Sequence, residues 1–157
     1  ILERGRNRLG YIGAISQDKA VGAERYDGFR DAVRDMGHAE LVKNHVVAAF
    51  TVVSGYEKTG ELLRKCGELD GLICATDTMA VGSVQYLREH GIQVPVRILV
   101  AGHGDSEMAR LTAPPLLTVH YSYEKCGKIA VEMLVELLGQ GEAARREVKL
   151  GYSIVER

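Results

Sequence analysis

Polar and aromatic side chains follow several short apolar segments, and as a group they suit the recognition of a carbohydrate. Sugar hydroxyls are bound by hydrogen bonds from planar polar groups, while the faces of sugar rings pack on flat apolar surfaces. Guanidinium, carboxylate, hydroxyl and imidazole groups would provide the hydrogen bonds, and Phe and Tyr rings would provide the surfaces. The candidate ligand-binding residues are Arg25, Phe50, Thr76, Asp77, His103, Asp105, Tyr121 and Tyr123.

Five of these candidates also have an ordinary structural interpretation, which remains open at this point. Asp77 and Asp105 precede helices and suit N-caps, a role that is compatible with ligand contact. Arg25 in an exposed first turn is commonly a solvated charge, and Phe50 belongs to a residue type that usually packs in the core. His103 lies between two glycines and suits a turn.

The motifs of common enzyme classes are missing from the sequence. It contains no G-x-S-x-G, no G-x-x-x-x-G-K-[ST] and no H-E-x-x-H pattern, and its five histidines lack metal-ligand spacing. We therefore expect no catalytic residue, no cofactor and no metal site. We interpret Cys66, Cys74 and Cys126 as inert buried thiols, and their odd number without C-x-x-C spacing predicts a reducing, cytoplasmic location.

Composition indicates one folded domain with little affinity for nucleic acid. The chain has 157 residues, of which 46% are hydrophobic, and its 20 basic and 21 acidic residues give a net charge of −1. No apolar run approaches the roughly 20 residues that span a bilayer. Residues 1–5 have the pattern of the last turn of a helix closed by glycine, so we expect a fragment of a longer protein.

Hydrophobic periodicity predicts alternating strands and helices. Strands separated by helices of this length indicate an α/β fold with a doubly wound, mainly parallel sheet. Ligands bind such sheets at the carboxyl ends of the strands, where the candidate residues lie. A capping box is predicted at Ser54–Glu57. The predicted strands are 8–15, 44–50, 70–75, 97–101, 116–120 and 148–155, and the predicted helices are 22–36, 54–66, 77–91 and 123–138.

Five segments, in this order and at these spacings, resemble the effector-binding domain of the lactose-repressor/galactose-repressor (LacI/GalR) family of bacterial transcription regulators. The resemblance covers nearly the whole chain. The segments are Arg25-Tyr26-Asp27-Gly28-Phe29, Phe50-x-x-x-Ser54-Gly55-Tyr56, Cys74-Ala75-Thr76-Asp77-Thr78-Met79-Ala80-Val81-Gly82, Gly91-Ile92-x-Val94-Pro95 and Pro114-Pro115-Leu116-Leu117-Thr118-Val119.

The resemblance implies a periplasmic-binding-protein-like fold of type I, in which two α/β lobes are joined by three crossing strands and hold a sugar between them. The chain would be mostly the C-terminal lobe, formed by residues 1–118. Residues 119–140 would be a hinge crossing and a helix that packs on the N-terminal lobe, absent from this chain. Residues 141–157 would be a connector and a return strand.

The resemblance also implies roles for the candidates. Arg25 would bind effector hydroxyls or phosphate, Phe50 would stack on a sugar ring, and Thr76 and Asp77 would contact sugar hydroxyls. Tyr121 and Tyr123 would line the hinge side.

One departure concerns the loop after the fourth strand. The family usually has an acidic residue where this chain has Gly104. A carboxylate there would repel phosphate, so its absence suggests a phosphorylated sugar, with positive charge from Lys19, Arg25, His103 and His120. A neutral sugar, with Gly104 merely relaxing the turn, remains the alternative.

Four further segments resemble sucrose-operon repressors, namely residues 21–25, 104–106, 118–121 and 149–153. Trehalose-operon repressors, the next most similar, share the segment Cys74-Ala75-Thr76-Asp77-Thr78. The implied partners are a sugar or sugar-phosphate effector, a second copy in a homodimer, and operator DNA bound through an N-terminal helix-turn-helix absent from this chain; no membrane partner is implied. Two alternatives remain open: a sugar-binding protein of a transport system, and a doubly wound hydrolase.

Overall fold

The computed structural model describes residues 1–140 and 146–157, and a six-stranded sheet organises these ranges. The strand order is β2-β1-β3-β4-β5-β6, and all neighbouring strands are parallel except β5 and β6. The mainly parallel α/β fold predicted from the sequence is thereby confirmed. The strands are β1 Leu9–Gly13, β2 His45–Val47, β3 Gly71–Cys74, β4 Leu99–His103, β5 Leu117–Tyr121 and β6 Tyr152–Val155.

Helices follow the strands as the periodicity predicts, with differences at their ends. The helices are α1 Glu24–Asp35, α2 Val52–Cys66, α3 Asp77–Glu89, α4 Glu107–Leu111 and α5 Tyr123–Gln140. A π-helical turn at Lys19–Ala23 leads into α1, and 3-10 turns occur at Leu2–Arg4 and Ala39–Lys43. α5 continues through Gly139, which therefore does not close it as expected. Most of the expected connector, residues 141–145, lies outside the described residues.

The capping box predicted at the start of α2 is wrong. The helix begins at Val52, and the N-cap is Thr51, whose side chain accepts a hydrogen bond from the Ser54 amide at 3.1 Å. Thr51 has the extended backbone that an N-cap needs, whereas Ser54 already lies inside the helix. The Ser54 hydroxyl instead accepts a bond from the Ala49 amide at 2.9 Å, which secures the loop before the helix.

The core forms where helices cover the sheet, and strand β4 is buried on both faces as predicted. Periodicity predicts that the inward face of α1 consists of Phe29, Ala32, Val33 and Met36. Phe29 and Val33 are buried, but Ala32 is exposed, and Met36 is 49% exposed because it lies at the C-cap, past the last helical residue. The expectation of buried thiols holds for Cys74 alone. Cys66 is half-buried, and Cys126 is exposed on α5.

Helices α2 and α3 touch through their backbones near their N-termini. A Cβ added to Gly82 would lie 2.0 Å from the Val52 carbonyl oxygen, and one added to Gly55 would lie 2.3 Å from the Met79 carbonyl oxygen. Only glycine fits such an approach. This contact fixes the first turns of the two helices side by side at the carboxyl ends of the strands, where the candidate residues lie.

Helix α5 exposes a broad apolar surface to solvent. The periodicity predicts an apolar arc wide enough to contact more than one neighbour, and the described ranges cover little of it. The exposed apolar side chains are Val131, Leu134, Val135, Leu137 and Leu138. A surface of this kind indicates a packing partner outside these ranges.

Candidate functional site

Arg25 stands at the centre of the carboxyl edge of the sheet. It is half-buried in the first turn of α1, and its Nη1 donates a short hydrogen bond to the Ala75 carbonyl oxygen just after β3. Its Cζ lies 5.7 Å from the centre of the Tyr121 ring, in a cation–π arrangement. Arg25 forms no ion pair with any carboxylate of the described residues. The guanidinium therefore keeps donors for another group.

Two tyrosines form an aromatic wall beside Arg25. The rings of Tyr121 and Tyr123 are 6.1 Å apart and nearly perpendicular. The Tyr123 hydroxyl donates to the Gly104 carbonyl oxygen at 2.9 Å, which ties the start of α5 to the loop after β4. The structure thus brings Arg25, Tyr121 and Tyr123 together, as the sequence predicts, and joins them to that loop.

His103 joins the same group, but as a neutral acceptor. Its Nδ1 lies 3.0 Å from the Cys74 carbonyl oxygen, and because a carbonyl only accepts, Nδ1 must carry the proton. Burial lowers the pKa of His103; the Cys74 bond opposes this shift, and the Arg25 charge adds to it. The neutral ring leaves Nε2 with a lone pair, which can accept a hydrogen bond from a hydroxyl group.

The Asp77 carboxylate faces the protein interior. It is 2% exposed; Oδ1 accepts from the Thr118 hydroxyl at 2.6 Å and Oδ2 from the Ser106 amide at 2.7 Å. The N-cap of α3 is Thr76, whose hydroxyl accepts from the Met79 amide at 3.3 Å, so the N-cap interpretation of Asp77 is wrong. Asp77 connects α3 to β5 and to the start of α4. Thr76 is half-buried at the carboxyl edge.

Asp105 is held by two arginines and a histidine ring. Arg157 bonds to Oδ1, while Arg110 and the His120 ring reach Oδ2 at 3.1 and 3.0 Å. The Arg157 guanidinium, followed by that of Arg110, holds the pKa of Asp105 below its usual range against the effect of burial. The N-cap of α4 is Ser106, so Asp105 is not an N-cap either. Asp105 joins the loop after β4 to strands β5 and β6.

The carboxyl group of Asp77 lies behind Gly104, although residue 104 has no acidic side chain. A Cβ at this residue would lie 3.5 Å from Asp77 Oδ2, so the buried carboxylate occupies the space directly behind the loop. Gly104 has a φ of 129°, a backbone conformation that favours glycine. Residue 104 itself has no acidic side chain, but the Asp77 carboxylate lies directly behind it, which weakens the argument from charge.

Of the four cations expected to attract phosphate, Arg25 alone remains available. The Lys19 side chain extends into solvent near Glu24, with 3.9 Å between Nζ and Oε1. His120 is engaged by Asp105, and His103 is neutral. The charge distribution thus gives less support to a phosphorylated ligand than the sequence suggests.

Phe50 lies at the opposite side of the carboxyl edge, after the edge strand β2. Its ring is 44% exposed and forms none of the aromatic pairs within the described residues, so the core interpretation is wrong. An exposed aromatic face at this position is free to stack on a ligand that extends across the edge. Thr118 and Tyr11, by contrast, stand out little in the sequence, because each lies within an apolar strand; their buried hydroxyls become visible only in the fold.

A cavity of about 540 Å³ between α3 and the end of α4 lies away from the candidate residues, and none of them lines it.

Within residues 1–140 and 146–157, no cluster of three His, Cys, Asp or Glu side chains could hold a metal ion. No helix of these ranges is long and apolar enough to cross a membrane.

Comparison with known proteins places these features in a family. The family model for the periplasmic binding protein-like domain matches residues 1–157. The chain is 34% identical to the HTH-type transcriptional regulator GalR of Lacticaseibacillus casei over 98% of its own length and 48% of that protein. It is 28% identical to the HTH-type transcriptional repressor PurR of Mannheimia succiniciproducens, over 100% of its length and 47% of that protein.

A similar match is found among solved structures. The transcriptional regulator CelR in complex with cellobiose superposes with a TM-score of 0.90 at 28% identity, over 99% of this chain and 47% of that one. The chain thus spans about half the length of the curated relatives it matches. These relatives are transcriptional regulators rather than enzymes.

Proposed function

Because the chain belongs to the periplasmic-binding-protein-like domain family, in the form found in LacI-family transcriptional regulators, we propose that it is the effector-sensing part of a sugar-responsive repressor. The observation that carries this proposal is the group formed by Arg25, His103, Tyr121 and Tyr123 at the carboxyl edge of the sheet. It combines hydrogen-bond donors, an acceptor and aromatic faces, the chemistry that sugar recognition needs.

We propose a neutral sugar as the effector. Arg25 would donate to its hydroxyls, His103 Nε2 would accept from one, and Tyr121, Tyr123 and Phe50 would offer ring faces. Thr76 would contact a hydroxyl, and the Asp77 and Asp105 carboxylates would hold the surrounding loops. Sucrose is a candidate by resemblance, and sucrose 6-phosphate tests whether Arg25 alone is sufficient to favour a phosphate.

We propose a division of the chain into lobe and hinge segments that is based on its exposed apolar surface. Residues 1–118 would form most of the C-terminal lobe, and residues 119–140 would cross the hinge and pack on an N-terminal lobe. The apolar surface of α5 supports this division, since a facing lobe would cover it. Residues 141–157 would return the chain to the sheet, and the antiparallel pairing of β6 with β5 suits such a return.

The contacts of the loop after β4 suggest how effector binding would reach the hinge. Asp105 binds His120 in β5 and Arg157 beyond β6, and Gly104 binds Tyr123 at the start of α5. A sugar that prefers one arrangement of the lobes shifts their equilibrium by the difference in its affinity for the two arrangements. A coupling free energy of about 1–3 kcal/mol changes operator affinity about 5- to 150-fold.

DNA binding would reside outside this chain. Its net charge of −1 offers little attraction to phosphates, which supply most non-specific affinity. We propose that an N-terminal helix-turn-helix reads the operator and that a cytoplasmic homodimer reads two half-sites. Analytical ultracentrifugation of the complete regulator should give the mass of two chains, and a monomer at micromolar concentration would contradict the homodimer.

The proposed function is tested by calorimetry on the complete regulator. Sucrose, sucrose 6-phosphate, trehalose 6-phosphate, fructose, fructose 1-phosphate and cellobiose would be titrated, and operator affinity measured with and without each sugar. At least one should bind and change operator affinity. The matched control is the 157-residue chain alone, which should leave a labelled operator duplex unbound at low salt. A regulator that binds none of the probes, or operator binding by these 157 residues, would refute the proposal.

A further inference from the structure

The Tyr11 hydroxyl in the middle of β1 is buried without a hydrogen-bond partner. The side chain is 1% exposed, and no described residue donates to or accepts from the hydroxyl. A buried unpaired polar group destabilises a protein, and such groups are rare in folded chains. The orphaned hydroxyl therefore indicates a partner that is not part of the described chain.

The direction of the Tyr11 ring shows where that partner lies. A Cβ added to Gly13 would lie 2.8 Å from Tyr11 Cε1, so the ring leans along β1 toward its carboxyl end. Ile12 pairs with Cys74, and Gly13 and Ala75 come next on the two neighbouring strands. The Tyr11 ring therefore extends toward Ala75. The Ala75 carbonyl oxygen accepts the hydrogen bond from Arg25, so the Tyr11 hydroxyl points toward the guanidinium.

The surroundings of Tyr11 are otherwise complete. Its ring stacks on Phe29 with 4.9 Å between centroids and tilts against Tyr26 at 5.7 Å, which fixes its orientation. Burial raises the pKa of the Tyr11 hydroxyl, so it remains protonated, and the Arg25 charge partly opposes the shift. A protonated hydroxyl donates one hydrogen bond and accepts others, which matches another hydroxyl group.

We infer that Tyr11 is a polar contact at the base of the effector site, where its hydroxyl pairs with a hydroxyl beside Arg25. That hydroxyl belongs to the bound sugar or to a water held beneath it. The inference rests on the proposed function and adds a residue to which neither motif nor spacing points. Tyr11 would favour ligands that present a hydroxyl to the base of the site over ligands with an apolar group there.

The test compares Tyr11→Phe with Tyr26→Phe. Tyr26 belongs to the same aromatic group, but its hydroxyl already bonds to the Val42 carbonyl oxygen and the His45 ring, each at 3.3 Å. In the complete regulator without sugar, Tyr11→Phe should not lower the melting temperature, because no bond is lost, whereas Tyr26→Phe should lower it. In the complete regulator, Tyr11→Phe should weaken binding of the sugar probes about 2- to 12-fold, and Tyr26→Phe should not.

The pattern across the six probes named above distinguishes the two sources of the hydroxyl. Equal weakening for every probe that binds indicates a water, and weakening confined to some probes indicates direct contact with a sugar hydroxyl; both support the inference. Unchanged affinity for every probe that the wild type binds overturns it while the proposed function stands. A wild type that binds no probe overturns both.

Discussion

Replacing Asp77 by Asn tests the buried carboxylate that connects three segments of the fold. Both groups that bind it are donors, the Thr118 hydroxyl at 2.6 Å and the Ser106 amide at 2.7 Å. An Asn side chain has one oxygen to accept with and presents an amino group to the second donor. One charge-assisted hydrogen bond is lost and a buried donor is left unpaired, so the free energy of unfolding should fall by about 1.5–3 kcal/mol.

The assay is urea and thermal unfolding of the 157-residue chain, followed by circular dichroism. A loss of this size corresponds to a melting temperature about 3–12 °C lower for a chain of this length. Thr118→Val removes one of the two donors and, in the double variant, should show a coupling of about 0.5–3 kcal/mol with Asp77→Asn. Asp31→Asn is the matched control, because that carboxylate is exposed and its replacement should change stability by less than about 0.5 kcal/mol.

Two results would refute the reasoning on Asp77. The first is an Asp77→Asn variant whose stability matches that of Asp31→Asn, which would mean that the carboxylate does not hold the loops. The second is strict additivity with Thr118→Val, which would mean that the 2.6 Å bond contributes nothing of its own.

Three further substitutions address the site and its support. Arg25→Ala in the complete regulator should weaken sugar binding about 10- to 150-fold by calorimetry while operator affinity stays unchanged, and equal sugar affinity would remove Arg25 from the site. The folded state lowers the pKa of His103, so stability should fall as pH drops below about 6.5, its ordinary value. In urea titrations from pH 7.5 to 5, His103→Gln should reduce the dependence of the free energy of unfolding on pH. An unchanged dependence on pH would contradict the lowered pKa. Gly82→Ala would place its Cβ 2.0 Å from the Val52 carbonyl oxygen and should lower the free energy of unfolding by about 1–3 kcal/mol, measured by thermal unfolding. Gly28→Ala, whose Cβ meets open space in α1, should not destabilise the protein. Similar melting temperatures for the two variants would refute the close contact.

The fold was largely predictable because its signals are local and repeated. Apolar runs such as Ile98–Ala101 mark buried parallel strands, and the glycines after the helices mark their ends. Helix starts were less predictable, since Ser54 and Thr51 both suit an N-cap and only the backbone conformation selects Thr51. The exposure of Met36 depends on where α1 ends against the sheet, which periodicity does not encode.

The clustering of the candidate residues at one edge was predictable from topology, whereas their protonation and pairing were not. The order of strands brings Arg25, His103 and Tyr121 to one edge whatever their side-chain orientations. That His103 is neutral and that Asp77 faces inward depend on distances of about 3 Å between segments far apart in sequence. Charge arguments from sequence overestimated the available cations for this reason.

The antiparallel pairing of β5 and β6 makes residues 122–151 a connection that begins and ends at adjacent strands of the sheet. Tyr121 pairs with Tyr152, so the chain leaves and re-enters the sheet at adjacent strands, which are about 4.8 Å apart. A two-residue Asn-Gly hairpin turn spans that gap in antiparallel strands. Replacing residues 122–151 by such a turn would remove the exposed apolar surface of α5 and leave β1 to β6 in place. Residues 122–151 are therefore a segment that can be exchanged as a unit. The shortened chain offers a compact host for grafting other segments between the end of β5 and the start of β6.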